Sequence, residues 1–163
     1  MDEKAPRHTH FEGMTDYVAA LDSVCAAAKR TLYIFEKNFE DIGFNSPARF
    51  ETLRQFLLAE SSNRLHLLVH DPQYLTRRCP RAMDLLRQFG HSMAIHQTPK
   101  NLQHITDPFA VADHDCYVRR YHFDDSRGVH GQDDPEEARR LASRFQEMWT
   151  ASHPCASGTT LGL

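Results

Sequence analysis

The stretch Asn101–Phe123, NLQHITDPFAVADHDCYVRRYHF, holds the order of parts on which the fold turns. A polar loop carrying His104 runs through Asp107-Pro108 into the short apolar run FAVA, which stops at Asp113. A two-residue "HD" follows, and then CYVRRYHF, rich in aromatic and β-branched residues. FAVA is too short for a helix, and the second run has strand composition, so the two read as an antiparallel pair joined by a tight turn.

Working upstream, SMAIHQT (92–98) and NRLHLLVHD (63–71) are further strands, the latter nearly continuous in apolar residues and closed by Asp71-Pro72. TLYIFEKNF (31–39) is another. Helical segments separate them. Thr15 is placed to cap a helix with Val18, Leu21, Cys25 and Ala28 inward. Ser46-Pro47 opens a second helix with Phe50, Leu53, Phe56 and Leu57 on one side. Pro80 starts a third, which carries Met83, Leu85, Leu86 and Phe89 and stops at Gly90.

Downstream, Asp134-Pro135 followed by Glu136 and Glu137 marks the start of a last helix, with its acidic residues at the positive end of the dipole. Ala138, Leu141, Phe145, Met148 and Trp149 form its apolar stripe. Helices alternating with strands, then a hairpin and a closing helix, predict a three-layer α/β/α sandwich whose sheet is parallel in one part and antiparallel in the other. Residues 1–14 are expected to be a flexible arm, 15–152 a single domain and 153–163 an irregular tail.

Composition narrows the function classes. The chain has 163 residues, 40% hydrophobic and 25% charged, as in ordinary globular domains, and no apolar run approaches the roughly 18 residues that span a bilayer. The N-terminus has no apolar signal core, so a cytoplasmic location is expected, with no membrane association. A net charge of −3 and a pI near 6.4 disfavour a dedicated nucleic-acid binder. The four cysteines form no CxxC pair and read as reduced thiols. No cofactor is expected, since no Gly-rich pyrophosphate loop joins a strand to a helix.

Eleven histidines are the compositional hint of a site. Three polar clusters directly follow strands: His70-Asp71-Pro72, His96-Gln97-Thr98-Pro99 and His104-Ile105-Thr106-Asp107-Pro108. Ligands collect beyond the C-terminal ends of parallel strands, so His70 and His96 are expected at one edge, with His104 joining from the next loop. There a histidine serves as acid, base or nucleophile, or binds metal with Asp71 or Asp107, or simply ties off a strand end by hydrogen bonds. His66, inside a strand, reads as a core histidine. Arg119 and Arg120 alternate faces, so one of them points inward, toward a phosphate or toward a carboxylate such as Asp113.

These parts resemble one half of a phospholipase D-like domain over roughly Thr15 to Ser152. That superfamily carries HxKxxxxD on a loop and the strand after it, Gly-Ser-x-Asn on the next strand, and a closing helix with an F…W pattern. RLASRFQEMW (140–149) is similar to that ending, and HITDPFAVAD (104–113) stands where HxKxxxxD belongs. The strings LHLLVHDP (65–72) and QHITDPFAVAD also resemble a bacterial domain of this superfamily that sometimes follows a GNAT-type acyltransferase.

The resemblance implies a nucleophilic His104 in a metal-independent reaction through a phosphohistidine, completed by a second half in the same chain or in a homodimer. Thr106, however, stands in place of the lysine, Asp113 comes two residues late, and Gly-Ser-x-Asn is absent. Each lost contact to a developing phosphoryl charge costs a few kcal/mol, on the order of a hundredfold in rate. The leading expectation is therefore a non-catalytic module that binds a protein or a phosphate-containing ligand. His70, Asp71, His96, His104 and Asp113 are its candidate site residues, and Arg120 its anion contact. The alternatives are an active homodimeric phosphodiesterase or nuclease using His104, and a metal-dependent hydrolase using His70, Asp71 and His96.

Overall fold

The computed structural model describes residues 4–156. One eight-stranded mixed sheet runs through them, built in chain order from β1 (Arg7–Phe11), β2 (Thr31–Glu36), β3 (Arg64–Val69), β4 (Met93–Gln97), β5 (Phe109–Ala112), β6 (Cys116–His122), β7 (Asp125–Gln132) and β8 (His153–Ala156). Its spatial order is β1-β7-β6-β5-β2-β3-β4-β8. β2, β3 and β4 are parallel neighbours, and every other pairing is antiparallel. The helices are α1 (Met14–Ala27), α2 (Pro47–Ala59), α3 (Gln73–Arg78), α4 (Pro80–Gln88) and α5 (Pro135–Ala151).

Side-chain alternation along the strands sorts the core into two layers. Leu32, Ile34, Leu65, Leu67, Ile95, Ala110 and Val118 pack on one face with α1, α2 and α4. Phe35, Leu68, Phe109, Val111 and Tyr117 pack on the other against Ala138, Leu141, Phe145 and Met148 of α5. The result is the expected three-layer α/β/α sandwich with a mixed sheet. The two predicted caps hold: the Ser46 hydroxyl accepts from the Arg49 amide at 3.0 Å, and the Asp134 carboxylate accepts from the Glu137 amide at 3.4 Å.

Three local expectations are corrected. The arm at 1–14 is not loose throughout: Arg7–Phe11 is an edge strand antiparallel to β7. Its His8 Nε2 lies 2.7 Å from Asp134 Oδ2, the oxygen that also accepts from the Tyr117 hydroxyl at 2.9 Å. β1 is exposed at all positions but Phe11, so its sequence shows no apolar alternation. α1 starts at Met14 with Gly13 as its N-cap, not Thr15. The tail is ordered from His153 to Ala156 as β8, while 157–163 lie outside the described residues. Two elements were not assigned from the sequence: DSRGVHGQ forms β7, and α3 precedes Pro80.

β7 was hidden by its glycines, which packing requires. A Cβ on Gly131 would lie 2.2 Å from the Tyr117 ring, and one on Gly128 would lie 2.0 Å from the Arg119 carbonyl oxygen. Gly131→Ala should therefore destabilise the fold by overpacking, by roughly 1–3 kcal/mol. Urea unfolding followed by circular dichroism should show a lower midpoint with an unchanged slope.

Candidate functional site at the C-terminal edge of the parallel strands

Glu36, Val69 and Gln97 end the three parallel strands side by side. Beyond them lie the 37–46 loop, His70-Asp71, the 98–108 loop and the turn between β6 and β7. His70 is buried at this edge and fully bonded. Its Nε2 lies 2.7 Å from the Ile105 carbonyl and so carries the proton, while Nδ1 accepts from the Thr98 hydroxyl at 2.5 Å. Burial holds its pKa below the ordinary histidine value, and the nearby charges of His104 and Lys37 push the same way, against the bond to Ile105. Its two bonds tie the 98–105 loop to the sheet.

Asp71 is exposed and turns the chain into α3, its Oδ1 accepting from the Gln73 amide at 3.0 Å. His104 is exposed on the turn after a 3-10 segment, Lys100–Leu102, and its ring bonds nothing among the described residues. His96 is not brought to His70. It sits within β4 on the α5 face, stacked on Trp149 at 3.7 Å with Nδ1 2.8 Å from the Ser152 hydroxyl. Asp107 is engaged by Arg144 in a two-pronged ion pair, both contacts at 2.5 Å. Although burial alone would raise its pKa, this pair holds the Asp107 carboxyl below its ordinary value.

Asp113 lies at the opposite end of the sheet. β5 runs antiparallel to β2, with Phe35 opposite Phe109 and Leu32 opposite Ala112, so the end of β5 meets the start of β2. There the Asp113 carboxylate accepts from the backbone amides of Lys29 (3.0 Å), Arg30 (2.7 Å) and Thr31 (3.1 Å). It closes the turn into β2, at the rim of a separate cleft of 620 Å³ also lined by Arg7, Lys29, Arg30 and His114. β5 is paired without a bulge on both sides, so no slack absorbs the two extra residues between His104 and Asp113. Counted back from Asp113 at the family spacing, the histidine and lysine positions fall on Thr106 and Pro108. Their carbonyls accept from the Phe123 amide (2.7 Å) and the Arg120 amide (3.0 Å).

Arg120 does point inward, but toward a carboxylate. Its Nη2 donates to Glu36 Oε1 at 3.1 Å, and Glu36 Oε2 accepts from the Tyr17 hydroxyl at 2.5 Å. Nη1 donates to the Phe123 and Asp125 carbonyls at 3.0 and 3.4 Å, and the guanidinium lies 4.6 Å from the centre of the Tyr17 ring. Tyr17, Glu36 and Arg120 are 0%, 3% and 5% exposed, so water does little to screen the pair. Burial pushes the Glu36 carboxyl up, opposed by Arg120 and Tyr17; burial and the charge of Glu36 push the Tyr17 phenol up.

Sequence reasoning missed Tyr17 and Glu36. The one available signal was an acidic residue closing an otherwise apolar strand, where burial demands a partner. Above the triad lies a cleft of 340 Å³ lined by Glu36, Lys37, Asn38, Asp41, Arg120 and Asp124. It shares Asn38 and Glu40 with a neighbouring cleft of 420 Å³ that includes Asp71, Tyr74, Arg77 and Arg78. Among the described residues no group of three or more His, Cys, Asp or Glu side chains is placed to hold a metal ion, so the His70–Asp71–His96 ligand set is not assembled. No helix among them is long and apolar enough to cross a membrane.

A family model described as "Domain of unknown function (DUF7931)" matches residues 13–161. The chain belongs to that family. No curated protein matches the chain. Among solved structures, Nuc from Salmonella typhimurium, a phospholipase D family member, is similar at 15% identity and a TM-score of 0.64, covering 94% of this chain and 99% of that one. NucT from Helicobacter pylori is similar at 12% identity and 0.57, covering 93% and 100%. TrmBL2, an archaeal chromatin protein, is similar at 10% identity and 0.65, covering 91% of this chain and 54% of that one. At these identities the likeness is one of fold, and the DUF7931 chain has a phospholipase D-like fold.

Removing one member of the buried pair strands the other. Glu36→Gln should cost about 3–5 kcal/mol, while the double replacement Glu36→Leu/Arg120→Met should cost much less. Chemical denaturation of the three proteins checks this.

Proposed function

We propose that this DUF7931 chain is a non-catalytic phospholipase D-like module, which binds a partner at the C-terminal edge of its parallel strands without chemistry of its own. The observation that carries this reading is the Arg120–Glu36 pair. The inward cation best placed to neutralise a phosphoryl oxygen is already neutralised by a carboxylate. Displacing Glu36 would leave a buried charge unpaired. The rest of the edge agrees. His70 has both ring nitrogens engaged, Asp113 is at the far end of the sheet, and the positions counted as histidine and lysine are Thr106 and Pro108.

The first cleft carries Glu40, Asp41 and Asp124 against Lys37, which disfavours a polyanion there, while Arg77 and Arg78 line the neighbouring cleft. The proposed partner is therefore a protein surface in preference to nucleic acid, even though TrmBL2 is described with a mode of DNA binding. A cytoplasmic setting, association as a homodimer and occurrence beside a GNAT-type acyltransferase all suit a module of this kind.

Purified chain and His104→Ala should be compared on a generic phosphodiester and on single-stranded and duplex DNA, with and without EDTA. The expected result is no turnover above the variant in any condition. Metal-independent turnover that disappears in His104→Ala would replace this reading with the phosphohistidine one.

A further inference from the structure

Trp149, the only tryptophan, lies in the last turn of α5 with its indole parallel to two imidazoles. His66 of β3 is 4.3 Å away at 2°, and His96 of β4 is 3.7 Å away at 6°. Tyr33 of β2 continues the array, stacked on His66 at 5.5 Å and on Phe145 at 4.8 Å. His96 Nδ1 meets the Ser152 hydroxyl, which donates to the Trp149 carbonyl at 2.6 Å, so the chain leaves α5 in a fixed direction.

That direction leads straight into β8, an edge strand of four residues. Among the described residues β8 pairs with β4 at three positions, with a register break between Ile95 and His96, and Pro154 has no amide to donate. The Cys155 thiol adds a weak contact to the Ile95 carbonyl at 3.6 Å. The stack lies directly beside this ladder.

We infer that the His66–Trp149–His96 stack is an acid-sensitive clamp, which holds the corner between α5 and β8 on the sheet while both imidazoles are neutral and opens once both are protonated. His66 Nδ1 is buried without a partner, so a proton there would be an unsatisfied donor. The charged groups acting on His66 are His96 and Arg64, and on His96 it is His153; all are cationic or become so, and no carboxylate acts on either ring. Tyr33, Phe145 and Trp149 are the uncharged neighbours from β2 and α5. One proton, on His96, is tolerated through attraction to the indole face. A second, on His66, meets like charge beside the same indole.

Burial, then His96 and then Arg64, push His66 down to about 4. Burial lowers His96 too, against its bond to the Trp149 carbonyl and with the push of His153. Both rings therefore take up protons less readily folded than unfolded. The corner is fully held above the ordinary histidine value of 6.5 and weakens as pH falls from there to about 4.

The test uses the full chain. Imidazole signals and backbone amide exchange, corrected for its intrinsic pH dependence, are followed by NMR from pH 7.5 to 4, alongside Trp149 fluorescence and far-UV circular dichroism. Protection of the β8 amides should fall by at least about tenfold relative to those of β2 and β3, in step with the His66 and His96 signals and with secondary structure retained. His66→Phe, which keeps a ring in the stack but cannot take a proton, should abolish most of that fall. The inference is overturned if β8 protection tracks the central strands at every pH, or if it falls equally in His66→Phe. Should that variant not fold, the wild-type comparison of β8 loss with imidazole titration decides: loss at a pH where both rings are still neutral overturns it as well.

Discussion

The pairing of Arg120 with Glu36 constrains much of this edge of the molecule. A guanidinium and a carboxylate, both within 5% of complete burial, exist in the interior only because each compensates the other. The pair spans β6 and β2, which are not neighbours in the sheet, and Tyr17 brings α1 into the same network. Through Nη1 it also fixes the β6–β7 turn, whose Phe123 and Asp124 border the cleft. The pair is a structural joint between β2, β6 and α1.

Strand direction explains the rest of the site. Residues that follow parallel strands gather at one edge, as His70 and Asp71 do. A residue that ends an antiparallel neighbour is carried to the other edge, as Asp113 is. The polar loops at the parallel edge are consumed in holding themselves together. Thr98 and Ile105 engage His70, and Arg144 of α5 engages Asp107. His104 is left outside that web, accessible but without a lysine or a carboxylate held against it.

Much of this architecture was legible in the sequence, and the failures have physical causes. TLYIFE, LHLLV and FAVA are buried on both faces of a covered sheet, so their apolar runs are unmistakable. Ser46-Pro47 and Asp134-Pro135 cap by local chemistry that needs no tertiary context. β1 and β7 were missed because one is an exposed edge and the other gives up side chains to make room for Tyr117 and the Arg119 carbonyl. β8 was missed because four residues containing Pro154 have no strand pattern. The inward turn of Arg120 was among the sequence alternatives, but its partner depends on sheet order. Glu36 is 84 residues away, and nothing local marks the two as neighbours.

In the proposed module Arg120 has its charge neutralised by Glu36 and offers none to a ligand. The direct measurement is the side-chain 1H–15N signal of Arg120 in the folded wild-type chain, followed while inorganic phosphate is added at constant ionic strength. A guanidinium locked to Glu36 should keep its signal unchanged throughout the titration. A saturable shift would show phosphate reaching Arg120 and would contradict the claim.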